Sequence, residues 1–270
     1  MKKNSGFYFL IIFLSGLLLI FIVAPMVGMV LSSSTSKIFD TAQDPQFRES
    51  LRLTLLTSAA ATLVGAIGAI PLAWLLARHE FPLKRILTGI IDLPIVIPHT
   101  AAGVAILGFV SRDTLIGRFA DMAGLNLVGS PLGISLAMAF VSLPFLINAA
   151  RSGFEAVPLR LEQAAATLGA SPARILLTIS IPMASRSLIA GLVLMFARGL
   201  SEFGAVVIVA YHPMVTPVYL FDRLNNFGIE YATPVAILLL GVSLGVFILS
   251  RALSKDNFYA RNQRHKTQSR

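Results

Sequence analysis

Long apolar runs separated by short polar stretches organise this chain. A helix rising about 1.5 Å per residue needs about 20 apolar residues to cross roughly 30 Å of hydrocarbon. Six runs are long enough: 7–30, 53–77, 86–110, 132–150, 187–211 and 231–250. Four of the last five interrupt their apolar pattern little or not at all. The third carries Asp92 and His99, and the fifth carries Arg198 and Glu202. The first run resembles a secretory leader in position, but its apolar stretch is too long and no small-x-small cleavage site follows. It is expected to be a spanning helix.

One stretch breaks the pattern. Between the fourth and fifth runs, "LEQAAATLGASPARILLTISIP" (161–182) is amphipathic rather than lipid-soluble. Leu161, Ala164, Ala165 and Leu168 recur at helical spacing and form one apolar stripe. Gly169 is expected to stop that helix in the left-handed conformation. Beyond Ala170, Ser171 and Pro172 have the chemistry of an N-cap and first helical residue for a second helix, whose Ile175, Leu176 and Ile179 face inward. Pro182 is expected to end it.

Composition agrees with the runs. Of 270 residues, 56% are hydrophobic and 13% charged, which excludes an ordinary soluble domain. With no cysteine, a disulfide scaffold, a thiolate metal site and a cysteine nucleophile are all excluded. Under a six-span layout, 15 of the 22 Lys and Arg fall on the side of both termini, 6 on the other, and Arg198 within the membrane. That asymmetry predicts cytoplasmic termini. The net charge of +9 therefore reads as topology and contact with anionic lipid, not nucleic-acid binding. The basic tail (253–270) is expected to end in a disordered, solvated segment.

Gln163-Ala164-Ala165, three residues, Gly169, nine residues, then Ile179-x-Ile181-Pro182 resembles the cytoplasmic signature of binding-protein-dependent ABC importer permeases, Glu-Ala-Ala-x3-Gly-x9-Ile-x-Leu-Pro. Gln163 replaces the acidic residue and Ile181 the Leu. "DLPIVIPHTAAG" and "ARGLSEFGAVVIVAY" look like the molybdate, tungstate and sulfate branch, and the Ile97-Pro98-His99 wording looks like the archaeal tungstate/molybdate permeases. The resemblance implies an all-α polytopic membrane protein with six transmembrane helices in the ABC importer permease fold, a single permease domain over 1–270. It further implies a homodimer, an ATP-binding ABC subunit beneath each copy and an extracytoplasmic oxyanion-binding protein above. Residues 152–185 would be the coupling loop that meets the ATPase, through Leu161, Glu162, Gln163, Ala164, Ala165, Gly169, Ala170, Ser171, Pro172 and Pro182. This chain would bind no cofactor; ATP and Mg would belong to the partner.

The residues themselves support a pathway without naming its cargo. Pro94 and Pro98 each remove a backbone donor, so the third run should bend or loosen there. Counting from the cytoplasmic ends, Asp92 lies roughly 10 Å deep, and His99, Arg198 and Glu202 share a level roughly 18 to 24 Å deep. Phe203 and Gly204 follow directly. These residues are candidates for a pathway or gate, yet Arg198 and Glu202 serve equally well as a self-neutralising pair, His99 as a packing residue, and Asp92 as a partner for a basic residue nearby. No phosphate-binding loop, His-Glu-x-x-His or Gly-x-Ser-x-Gly is present, so neither an intrinsic ATPase nor those hydrolases fit. A sulfate or other small-solute permease and a passive anion channel stay open as alternatives.

Overall fold

A computed structural model describes the backbone of residues 5–267 and the side chains of 6–248. Lys2, Lys3 and Arg270, counted above for orientation, lie outside the described residues. Thirteen α-helices follow one another, with no strand among the described residues.

The first, α1 (Ser5–Ser32), is apolar on every side, and its most hydrophobic window buries nothing against the rest of the chain. Next, α2 (Thr35–Gln43) is a short amphipathic helix capped by the Ser34 hydroxyl. Asp44 caps α3 (Pro45–Arg78), with Pro45 in its first turn. With 34 residues, α3 is about 51 Å long and projects beyond a hydrocarbon layer at both ends.

The third run is not one straight helix. α4 (Lys84–Val96) and α5 (His99–Val110) meet at a bend of 113°. The cause is local: Pro98 disfavours helical backbone in the residue before it, and Ile97 is extended, with φ −72° and ψ 148°. A short α6 (Leu115–Met122) leads to α7 (Pro131–Glu155), which is capped by Ser130 and runs through the middle of the bundle.

After α8 (Leu159–Thr167) comes α9 (Pro172–Ile175), which continues through a π turn (Leu176–Ser180) into α10 (Ile181–Leu200). Pro182 therefore does not end the helix. It occupies the first turn of α10, and the wider π turn absorbs the donor that proline lacks, with the Ile181 N–H reaching back to the Leu176 carbonyl. The fifth span starts at Pro172 and stops at Leu200, 15 residues before and 11 residues before the two ends of the apolar run. α11 (Gly204–Val209) then carries the apolar pattern onward as a separate piece. α12 (Thr216–Phe227) and α13 (Ile229–Thr267) complete the fold. The backbone of α13 is helical to Thr267, so the described part of the expected disordered end is instead continuous with the last span, and residues 268–270 lie outside the described residues. Once nucleated, a helix propagates readily through Arg, Ala, Lys and Gln.

Five helices are long and apolar enough to span a membrane, and the bent α4–α5 pair makes a sixth. Two apolar clusters surround α7. One joins Ala102, Ile106, Met138, Val206 and Val215; the other joins Leu76, Leu146, Phe154, Leu188 and Met195. Gly191 allows α10 to approach α7 closely, since a Cβ there would lie 2.9 Å from that of Ala149. The buried face of α3 carries hydroxyls instead: Thr54, Thr57 and Thr62 each donate to the carbonyl one turn earlier, at 2.7 to 2.8 Å. Their polarity is thus satisfied within the helix.

Candidate functional site

Two places gather the polar residues singled out from sequence. The first is the loop carrying α8. Its helix ends in a Schellman motif: the Gly169 N–H donates to Ala166 at 2.9 Å and the Ala170 N–H to Ala165 at 3.0 Å. Gly169 has φ +85°, the left-handed conformation anticipated for it. The Ser171 hydroxyl accepts from the Arg174 N–H, and Pro172 opens α9. Ile175 is buried, and Leu176 and Ile179 are partly so.

α8 is inverted relative to an ordinary surface helix. Its apolar residues Leu161, Ala164 and Leu168 face away from the chain's own bundle, together with Gln163, and Leu168 is 89% exposed. The residue it buries is the charged Glu162. Arg78, at the end of α3, grips that carboxylate with two donors: Nε to Oε2 at 2.8 Å and Nη2 to Oε1 at 2.9 Å. Arg78 Nη2 also reaches the Val157 carbonyl at 3.1 Å, and the Ser180 hydroxyl donates to Oε1 at 2.6 Å. Burial opposes the charge on Glu162, but the Arg78 guanidinium and the Ser180 hydroxyl outweigh it and hold the carboxyl below its ordinary 4.5. Glu162 thus faces inward, while Gln163, Ala164, Gly169, Ser171, Pro172 and Pro182 are exposed, and Ala165 and Ala170 partly so.

The second place lies where two helices break. Arg198, in the last turn of α10, meets Glu202 at 2.8 Å. His99, the first residue of α5, places Nδ1 3.2 Å from the same Glu202 oxygen, and Arg198 Nη2 lies 2.9 Å from each ring nitrogen. A ring donating from Nδ1 to Glu202 can accept from Arg198 at Nε2. The other Glu202 oxygen accepts the Ala205 N–H at 2.8 Å, in the first turn of α11. One carboxylate therefore satisfies an orphan donor at a helix start, a cation and an imidazole.

Glycine makes that junction tight. A Cβ on Gly204 would lie 2.7 Å from the His99 Cβ, and one on Gly103 would lie 2.9 Å from the Ala205 backbone. The Phe203 ring packs on that of Phe221 with centroids 4.8 Å apart and the planes tilted by 47°. Pro98 remains exposed and Pro94 is buried within α4. Asp92 stands apart from this cluster. It accepts from the Asn148 amide at 2.7 Å, not from a basic residue, because the nearby span offers an amide at that depth.

A family model described as binding-protein-dependent transport system inner membrane component matches residues 69–259. The chain belongs to that family. Among curated members of this transport-component family, the molybdate/tungstate transport system permease protein WtpB of Thermococcus kodakarensis is 38% identical over 255 residues. That match covers 94% of this chain and 98% of the relative. WtpB of Pyrococcus abyssi is 38% identical, covering 89% and 92%. The sulfate transport system permease protein CysT of Salmonella typhimurium is more distant, at 31% identity over 84% of each chain. A bacterial ABC transporter involved in importing the acidic polysaccharide alginate shares the fold at TM-score 0.73 and 18% identity, covering 94% of this chain and 96% of that one. The inner membrane component fold is therefore the all-α ABC importer permease fold.

Three residues that matter to this geometry escape a reading by motif: Arg78, Ser180 and Asn148. Arg78 looks like one more topogenic cation at a span's end. Asn148 had a readable signal, because it stands seven residues before the end of α7 and Asp92 eight after the start of α4, at matching depth.

Proposed function

We propose that this chain is the membrane subunit of an ATP-driven importer of a tetrahedral oxyanion, molybdate or tungstate. Two copies would form the pathway between them, with one ATP-binding ABC subunit under each and an extracytoplasmic binding protein delivering the anion. The observation that carries the reading is α8, whose apolar residues point away from its own bundle while its buried side is pinned by an ion pair. Such a surface suits a groove in another protein. The names of the archaeal relatives support the choice of oxyanion. The excess of Lys and Arg on one side supports cytoplasmic termini, which puts α8 where ATP is hydrolysed.

In this mechanism the chain binds no nucleotide; ATP and Mg belong to the partner. Closure of the ATPase pair displaces α8, and the span from Pro172 to Leu200, built of α9, the π turn and α10, carries the movement onward. Its far end bears Arg198, so the movement arrives where α10 and α4 break. Arg198 and Glu202 neutralise each other there, leaving no net charge to attract an anion. Their role is to hold two broken spans together as a gate whose backbone can repack. The test is uptake of molybdate, tungstate and sulfate into vesicles containing the complete complex, with and without ATP. ATP-dependent accumulation of the first two supports the reading, and its absence for every oxyanion overturns it.

A further inference from the structure

Glu162 is buried on a helix whose exposed side is apolar, an arrangement that costs desolvation unless the carboxylate is fully engaged. It is engaged by groups far apart in sequence. Arg78 comes from the end of α3, 84 residues earlier, and Ser180 from the π turn, 18 residues later. Arg78 also holds the Val157 carbonyl, where the chain passes from α7 to α8. Ser180 lies at the wide turn that lets α10 continue past Pro182. The two-donor Arg78 contact fixes orientation as well as distance. Both side chains are more than nine-tenths buried, so solvent screens the pair little.

We infer that Arg78, Glu162 and Ser180 form a clamp that makes α8, the end of α3 and the start of α10 move as one body. The clamp makes Glu162 a positioning residue for transport. It touches neither anion nor nucleotide, and it acts by converting displacement of α8 into displacement of two spans. Covalent connection alone would transmit less. From α8 to α10 the chain passes through the exposed Gly169 turn and the π turn, both of which can absorb motion. The ion pair bypasses these soft joints and adds α3, to which α8 has no short covalent link. This inference rests on the coupling role proposed for α8.

The test uses the complete complex in proteoliposomes, with molybdate as the transported probe. Two quantities are read: ATP hydrolysed per molybdate imported, and hydrogen exchange of the α8 amides. Glu162→Gln should retain the ATPase subunit and continue to hydrolyse ATP. Its ATP-to-molybdate ratio should rise about tenfold, and α8 exchange should rise similarly. Ser180→Ala should move both in the same direction by less. The chain has no cysteine, so Arg78→Cys with Glu162→Cys gives a pair that a short thiol crosslinker can join specifically before assembly. Joining it should return the ratio toward the wild-type value, which repair of charge alone would not do. An unchanged ratio in Glu162→Gln with a full complement of ATPase overturns the clamp. If that variant does not assemble, a cysteine pair whose ratio is the same before and after joining overturns it as well. Wild-type vesicles without ATP-dependent uptake of any oxyanion would reject the coupling role itself, and unchanged α8 exchange in Glu162→Gln would then reject the clamp independently.

Discussion

Arg198 and Glu202 stand one turn apart at the place where α10 stops, joined through Nη2 and Oε2 at 2.8 Å. The cation closes one helix and the carboxylate opens the next by accepting the Ala205 N–H. Glu202→Gln keeps the shape and the capping oxygen but leaves Arg198 without its counter-charge. Arg198 is about one-fifth exposed, so removing its counter-charge should cost up to about 3 kcal/mol, the lower end for a buried pair. Thermal unfolding in detergent should show that loss, and Arg198→Gln with Glu202→Gln should recover part of it. Equal midpoints for the wild type and Glu202→Gln would refute the self-neutralising account.

Gly204 carries a second expectation. A methyl group there meets the His99 Cβ at 2.7 Å, and both atoms are fixed to backbone, so no side-chain rotation relieves the contact. Gly204→Ala should therefore push α11 from α5 at a cost of about 1 to 3 kcal/mol and reduce uptake, while membrane insertion is normal. Uptake at the wild-type rate would mean that the two breaks need not pack closely.

Gly169→Leu separates folding from docking. In the isolated chain a Cβ at this position meets no atom within 4 Å, so only the positive φ opposes it, at about 1 to 2 kcal/mol. Insertion should survive. In the complex the branched side chain would project from the surface proposed to meet the ATPase, and both ATPase retention and uptake should fall. Full retention of ATPase and full uptake would remove the Gly169 turn from the docking surface.

The Glu162 carboxyl gives a pH dependence of definite sign. Its folded value lies below the ordinary 4.5, so the unfolded chain takes up the proton more readily. The stabilisation is complete above 4.5 and is lost as pH falls through the lower folded value. The gap in thermal midpoint between wild type and Glu162→Gln should thus stay constant from pH 8 to about 5 and narrow below that. A gap that instead shrinks between pH 8 and 6 would show that Glu162 is not held ionised by Arg78.

Much of this was legible from the chain alone, because periodicity and proline act locally. The Gly169 turn, the Ser171 cap and the bend at Pro98 each follow from a residue or two. The shared level of His99, Arg198 and Glu202 was legible from their distance along their spans, but only the packing of α5 against α11 shows that they meet. Continuation past Pro182 was not legible, because a proline can either end a helix or open a first turn, and the π turn that accommodates it here has no residue pattern of its own. Nor was the partner of Glu162. Nothing near Glu162 in sequence announces Arg78, and only the fold brings the end of α3 within reach of that carboxylate. Likewise, an apolar stripe on α8 has the same pattern whether it faces its own bundle or a partner, and only the fold decides which.

Reconstitution of the chain by itself, then with the proposed ATPase and binding-protein partners, tests the central claim most directly. No phosphate-binding loop exists in the sequence, so the isolated chain should neither hydrolyse ATP nor pass molybdate. Labels near Ser171 and Ala205 should report movement across the proposed dimer only when ATPase and nucleotide are both present. With all partners, molybdate should accumulate in step with ATP hydrolysis. Molybdate leaking through the chain in vesicles that contain no ATPase would identify a channel and contradict the account.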